Sequence, residues 1–240
     1  MTIRRLMALS AWMLFWTVPA VAADSMTYEL RTYTASEGKL DDLHARFRNH
    51  TMDLFEKHGM TNVGYWTPTD APNTLVYLIG HKDAAGVAAS WQAFVADPAW
   101  HTVYADSIKD GALVANIENQ LLTPTDYSPL KSGAGKLPGE HVYELRTYTT
   151  NAGKLDNLHA RFRDHTMTIF DKHGMQNVVY TVPIDENLAD HTLVYMIAHS
   201  SVDGAKTSWG ACRTRWAKHS TGCGVNAAPT PVPWRLPARR

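Results

Sequence analysis

Tyr28–Thr34 reads YELRTYT, and Tyr143–Thr149 reads YELRTYT again, without a change. Working outward, Gly38–Met60 (GKLDDLHARFRNHTMDLFEKHGM) returns as Gly153–Met175 (GKLDNLHARFRDHTMTIFDKHGM), so that 28 of the 38 positions from Tyr28 to Tyr65 match their partners 115 residues on. After a three-residue insertion, TLVYLIGH (Thr74–His81) matches TLVYMIAH (Thr192–His199), and Ser90-Trp91 matches Ser208-Trp209. Self-similarity at a fixed period marks a structural unit used twice.

The unit alternates strand and helix signals. Tyr28 and Leu30 fall on one side of a strand, and Glu29, Arg31 and Tyr33 on the other. Ser36 stands where it can cap a helix from about Glu37 to His58, and Gly59 follows where a helix end wants positive φ. Strands are expected at Thr61–Trp66, Leu75–Gly80 and within Leu113–Leu122, with a helix from Asp83 interrupted near Asp97-Pro98. The order is β-α-β-β-α-β, the ferredoxin-like arrangement. Helices cover one face of such a sheet, and the other must be buried elsewhere. Two ferredoxin-like repeats in one α+β chain can bury these faces on each other as an intrachain dimeric α+β barrel. Glu29, Arg31 and Tyr33, with Glu144, Arg146 and Tyr148, are expected to line the sheet–sheet interface, the acids and arginines as structural ion pairs.

The second repeat is truncated. It provides Val142–Thr149, a helix over Gly153–His173, strands near Asn177–Val182 and Leu193–Ala198, and a helix from Asp203. Where repeat 1 continues AFVADPAW, repeat 2 continues ACRTRWAK into a tail with six Arg/Lys, no acid and no sustained periodicity. The abruptness points to a reading-frame shift near Ala211, with a divergent tail as the alternative. A missing fourth strand leaves a sheet edge open, through which a homo-oligomer would form. The resulting division is 1–23 signal peptide, 26–122 repeat 1, 123–140 linker rich in Pro, Gly and Ser, 141–211 incomplete repeat 2, and 212–240 basic, Pro-rich tail.

Residues 1–23 carry Arg4-Arg5, an apolar run from Leu6 to Val18, and small residues at Ala20-Val21-Ala22. That order predicts a cleaved signal peptide and a periplasmic or secreted protein. No later stretch is apolar enough to span a bilayer. The formal net charge of zero conceals +2 in the signal, +6 in the tail and −8 between them. A body of that sign argues against nucleic acid as a partner. Cys212 and Cys223 both lie in the tail and are not read as a framework.

The YELRTYT strand, the HARFRNHTMDLFEKHGM helix, the following N-V-x-x-Y strand and the SWQAFVADPAW segment resemble the NIPSNAP family. The resemblance spans Met26–Leu122 and Val142 to about Trp209. It implies a dimeric α+β barrel of ferredoxin-like halves, within a superfamily that also holds cofactor-independent monooxygenases and haem-degrading enzymes. It speaks to fold more than to activity.

On a helical wheel, Leu40, Leu43, Phe47, Leu54 and Phe55 form the buried stripe, with His44, His50, Thr51 and His58 on or beside it. Related barrels hold small molecules between helix and sheet, which makes His50 and His165 the leading pocket candidates, followed by His44 and His159. A histidine there would act as base or ligand, or simply as a hydrogen-bonded core residue. Arg46 and Arg161 sit at the stripe's edge, where they would hold an anionic substrate or pair with acids. No H-E-x-x-H, paired-cysteine, nucleophile-elbow, phosphate-loop or dinucleotide motif is present, and no metal or cofactor is expected. A small-molecule-binding or assembly module is the leading expectation, and a cofactor-independent monooxygenase-like enzyme the alternative. A closed pocket around His50 would favour the enzyme, and a helix–sheet space filled by Phe47, Leu54 and Trp91 the module.

Overall fold

The computed structural model describes residues 26–131, 137, 139–217 and 234–235. The signal peptide expected at residues 1–23, and most of the tail, lie outside the described residues.

Repeat 1 runs β1 (Thr27–Ala35), α1 (Leu40–Arg46), a π-helical turn (Phe47–Thr51), α2 (Met52–Lys57), β2 (Thr61–Pro68), β3 (Thr74–His81), α3 (Ala84–Val95), α4 (Pro98–Ser107) and β4 (Val114–Pro124). Repeat 2 runs β5 (Val142–Thr149), α5 (Leu155–Arg161), a second π-helical turn (Phe162–Thr166), α6 (Met167–Lys172), β6 (Gln176–Pro183), α7 (Glu186–Ala189), β7 (Thr192–His199) and α8 (Val202–Ala217), and β8 (Trp234–Arg235) follows. The first helix starts later than its serine suggested. Gly38 at φ +70 turns the chain, and Lys39 occupies the N-cap without a side-chain capping bond. Its end is as expected: Gly59 has φ +76, and Met60 N–H donates to the Phe55 carbonyl.

The π-helical turn has a packing cause. Leu43, Phe47, Thr51 and Phe55 are all buried and spaced by four. In a straight α-helix that spacing drifts by about 120° over three steps. One wide turn takes up the drift and keeps all four on the sheet. Both repeats carry the turn in the same sequence context.

The strands close into an antiparallel barrel in the order β1-β3-β2-β8-β5-β7-β6-β4. Inside lie Tyr28, Trp66, Val76 and Leu78 from repeat 1 against Tyr143, Val179, Val194 and Met196 from repeat 2. Trp66 meets Tyr143 with centroids 5.5 Å apart. Gly64 makes room for that indole, because a Cβ there would stand 2.4 Å from the Trp66 ring. Repeat 2 has Val179 and Thr181 at the partner positions, so volume has moved between them. Two further cores fill the helix–sheet layers, one in each repeat.

Two expectations are corrected. Glu29, Arg31 and Tyr33 do not line the sheet–sheet interface. The Tyr28 face turns into the barrel, and Glu29 bonds outward to Trp91 on α3. The segment after Leu122 is not a free linker throughout: Leu122, Thr123 and Pro124 pair with β6, Thr125 N–H donates to the Tyr180 carbonyl, and Leu130 N–H donates to the Val178 carbonyl. The fourth strand of repeat 2 survives as a stub. Leu122 faces Tyr28 and Pro183, and Trp234 faces the partner positions Tyr143 and Pro68. Among the described residues, Glu144–Thr149 has no strand partner on that side of β5.

Candidate functional site

In repeat 1, four donors converge on the buried Glu29 carboxylate. Oε1 accepts from Arg31 Nη1 at 2.5 Å and Asn119 Nδ2 at 3.3 Å, while Oε2 faces His81 Nε2 at 3.0 Å and accepts from Trp91 Nε1 at 2.7 Å. The other nitrogen of His81 lies 2.8 Å from Ser90 Oγ, whose hydroxyl is in reach of the α3 carbonyls of Gly86 and Val87. Burial alone would raise the carboxyl's pKa, but donors from His81, Trp91 and Arg31 outweigh it and bring Glu29 down to about 2. Repeat 2 repeats the Glu–Arg–His–Trp part of the centre with Glu144, Arg146, His199 and Trp209, but among the described residues His199 Nδ1 has no partner. Sequence reasoning placed Glu29 and Arg31 in ion pairs but missed His81 and Trp91. The signal was a histidine closing an otherwise apolar strand in both repeats, retained together with the Ser-Trp pair.

Beside this centre the helix–sheet space is filled. Tyr65 stacks on Tyr77 at 5.5 Å, and Phe47, Phe55, Tyr33 and Phe94 pack edge-on or tilted around them. Burial raises the Tyr77 hydroxyl's pKa well above its ordinary value, so it stays neutral.

The six sequence candidates do not converge. His50 and His165 are exposed, because the π-helical turn shifts the phase on which a straight wheel placed them inside. His44 is half-buried, 3.3 Å from Thr67 Oγ1, and burial followed by Arg48 lowers its pKa. His159 is half-buried 2.7 Å from the Tyr127 hydroxyl, which arrives on the segment crossing from repeat 1; Arg163 fixes that segment by bonding Asp126 at 2.8 Å. Arg161 is half-buried near the Phe162 ring.

Arg46 is the exception, at 7% exposure. Its guanidinium lies 5.4 Å from the Trp100 ring and 5.8 Å from the Tyr104 ring, both on α4. Nη1 donates to Ser107 Oγ at 3.2 Å, and the buried Nε–H has no partner. Among the described residues, no carboxylate pairs with it. Burial therefore lowers its pKa, whereas Arg31, equally enclosed, is raised by Tyr77, Tyr33 and Glu29 against the same burial. The helix lying over Arg46 holds no buried residue of its own.

His58, on the inner stripe of the first helix, is held by an acid at the helix end. It lies 2.7 Å from Asp97 Oδ2, which also accepts from Lys57 Nζ at 2.6 Å, while Asp97 Oδ1 caps α4 at Ala99 N–H. Repeat 2 has no such aspartate in its sequence, and among the described residues His173 Nε2 is buried without a partner. Among the described residues no group of three or more His, Cys, Asp or Glu is placed to hold a metal, and no helix is long and apolar enough to cross a membrane.

Residues 28–129 match the NIPSNAP family model. Similar solved structures include a NIPSNAP family protein from Agrobacterium tumefaciens str. C58, 25% identical with a TM-score of 0.40, covering 44% of this chain and 94% of that one. Another is a NIPSNAP-like domain protein from Burkholderia xenovorans, 22% identical with a TM-score of 0.40, covering 45% of this chain and 91% of that one. A chain from Fusobacterium nucleatum, provisionally described as a monooxygenase, is 8% identical with a TM-score of 0.57 and covers 89% of this chain and 93% of its own length. That likeness concerns the fold. No curated protein matches the chain.

Proposed function

We propose that this chain, whose residues 28–129 form a NIPSNAP domain, is an exported, non-catalytic module that binds a small aromatic carboxylate against Arg46. One observation carries the reading: Arg46 is a buried cation that, among the described residues, has no acid beside it. An unpaired buried charge costs several kcal/mol, which a ligand carboxylate would offset through paired hydrogen bonds. Trp100 and Tyr104 supply flat faces for a ring, and α4 is the element whose displacement would admit it. The monooxygenase-like alternative is weaker, because His50 is exposed and aromatic side chains occupy the space a reaction chamber would need. Export rests on the order of charged, apolar and small residues in 1–23. The edge of β5 from Glu144 to Thr149, which has no strand partner among the described residues, is where a second copy would add to the assembly.

Thermal unfolding with benzoate as probe tests the reading. Benzoate should raise Tm in a saturable way, benzyl alcohol should not, and Arg46→Gln should abolish the benzoate effect. Equal shifts with both compounds, or a benzoate effect that survives Arg46→Gln, would overturn it.

A further inference from the structure

The three residues inserted between β6 and β7 are not idle length. Repeat 1 passes from Pro68 to Thr74 without a helix, whereas repeat 2 builds α7 between Pro183 and Thr192. The helix is tied down at its start, where Ile184 N–H donates to the Leu121 carbonyl at 2.9 Å and Asp185 caps Asn187 N–H. Beside it the barrel splays. β4 pairs with β1 over its length but with β6 only at Leu122, Thr123 and Pro124. A cleft of about 630 Å³ opens between the departing β4 and α7. That volume lies within the range of about 300–1,000 Å³ usual for small-ligand sites.

The lining sets the ligand's chemistry. Leu30, Leu121, Ile184 and Leu188 line the cleft, and none is fully buried by the protein itself. The charged groups on the walls are Glu118 and Asp185, and among the described residues no Lys or Arg lines the cleft. Asp185 Oδ1 accepts from Asn187, and Glu118 Oε1 accepts from Asn116, and both carboxylates are exposed at the cleft. A carboxylate ligand would meet repulsion there, and a purely apolar one would leave both acids without a counter-charge.

We infer that this cleft is a second ligand site, independent of Arg46, for a primary amine carrying a short apolar tail. The tail packs on the aliphatic lining and the ammonium sits between Glu118 and Asp185. Repeat 1, without the insertion, has no corresponding wall.

Amide-resolved NMR titration of the full chain tests this with hexylamine, 1-hexanol and hexanoate as probes. Hexylamine should shift the Gln120 and Leu188 amides saturably and bind roughly tenfold more tightly than hexanol, since each exposed ion pair contributes a few-fold. Added salt should shrink that advantage. The double variant Glu118→Gln/Asp185→Asn, which keeps a helix-capping side chain, should bring hexylamine down to hexanol. Filling the cleft from either wall, by Leu188→Trp or Gln120→Trp, should abolish binding in whichever variant retains the native spectrum elsewhere. Equal affinities for amine and alcohol, tighter binding of hexanoate, or hexylamine binding that survives a filled cleft would each overturn the inference.

Discussion

Replacing Glu29 by Gln removes the one negative charge at the centre of repeat 1 and leaves Arg31 buried without its acid. Two routes give the magnitude. The donors hold the folded carboxyl down at about 2 against an ordinary value of 4.5, a drop worth about 3 kcal/mol of stability at neutral pH. Breaking a buried ion pair from one side costs about 3–5 kcal/mol by comparison with measured cases. The sign follows from the direction. A carboxyl lowered in the folded state contributes fully above its unfolded value and loses that contribution as pH falls through the folded one. Urea unfolding of wild type and Glu29→Gln should thus differ by about 3 kcal/mol at pH 7, and by under about 1 kcal/mol at pH 2.5. Glu144 is lowered in the same direction, with His199, Arg146 and Trp209 opposing burial, so Glu144→Gln should show the same sign. A difference below about 1 kcal/mol at pH 7, or one that stays flat from pH 7 to pH 2.5, would refute the reasoning.

Three further outcomes are expected. Tyr127→Phe removes the hydrogen bond to His159 and should cost about 1 kcal/mol in urea unfolding, with no change in the benzoate response. His50→Ala alters an exposed side chain and should move stability by no more than about 0.5 kcal/mol and leave benzoate binding intact. Gly64→Ala drives a Cβ into the Trp66 ring and Leu137. It should cost about 1–3 kcal/mol and broaden the Trp66 indole resonance in NMR spectra.

The element order and the barrel were legible because the same seven-residue strand and the same long helix stand in the chain twice. The inward face of β1 was not. Alternation says which residues share a face, but Tyr28-Leu30-Thr32 and Glu29-Arg31-Tyr33 each mix polar and apolar groups, and only the Trp91 and His81 partners of Glu29 decide the matter. The histidines failed for a different reason. A 100° wheel assumes an unbroken α-helix, and the π-helical turn at Phe47–Thr51 puts His50 in solvent while holding Thr51 inside. Arg46 was read as an edge residue open to either an anion or an acid, and that choice depends on what α4 brings over it. The insertion before β7 registered in the sequence as a gap, although it builds α7 and one wall of the cleft.

The reading of Arg46 as a ligand anchor is tested most directly at its own Nε–H, the buried donor without a partner. Its proton–nitrogen resonance, assigned by its loss in Arg46→Lys, should move downfield in a saturable manner with benzoate and exchange more slowly with water. An Nε–H resonance that stays unmoved at benzoate concentrations that shift Tm would place the ligand elsewhere and contradict the account.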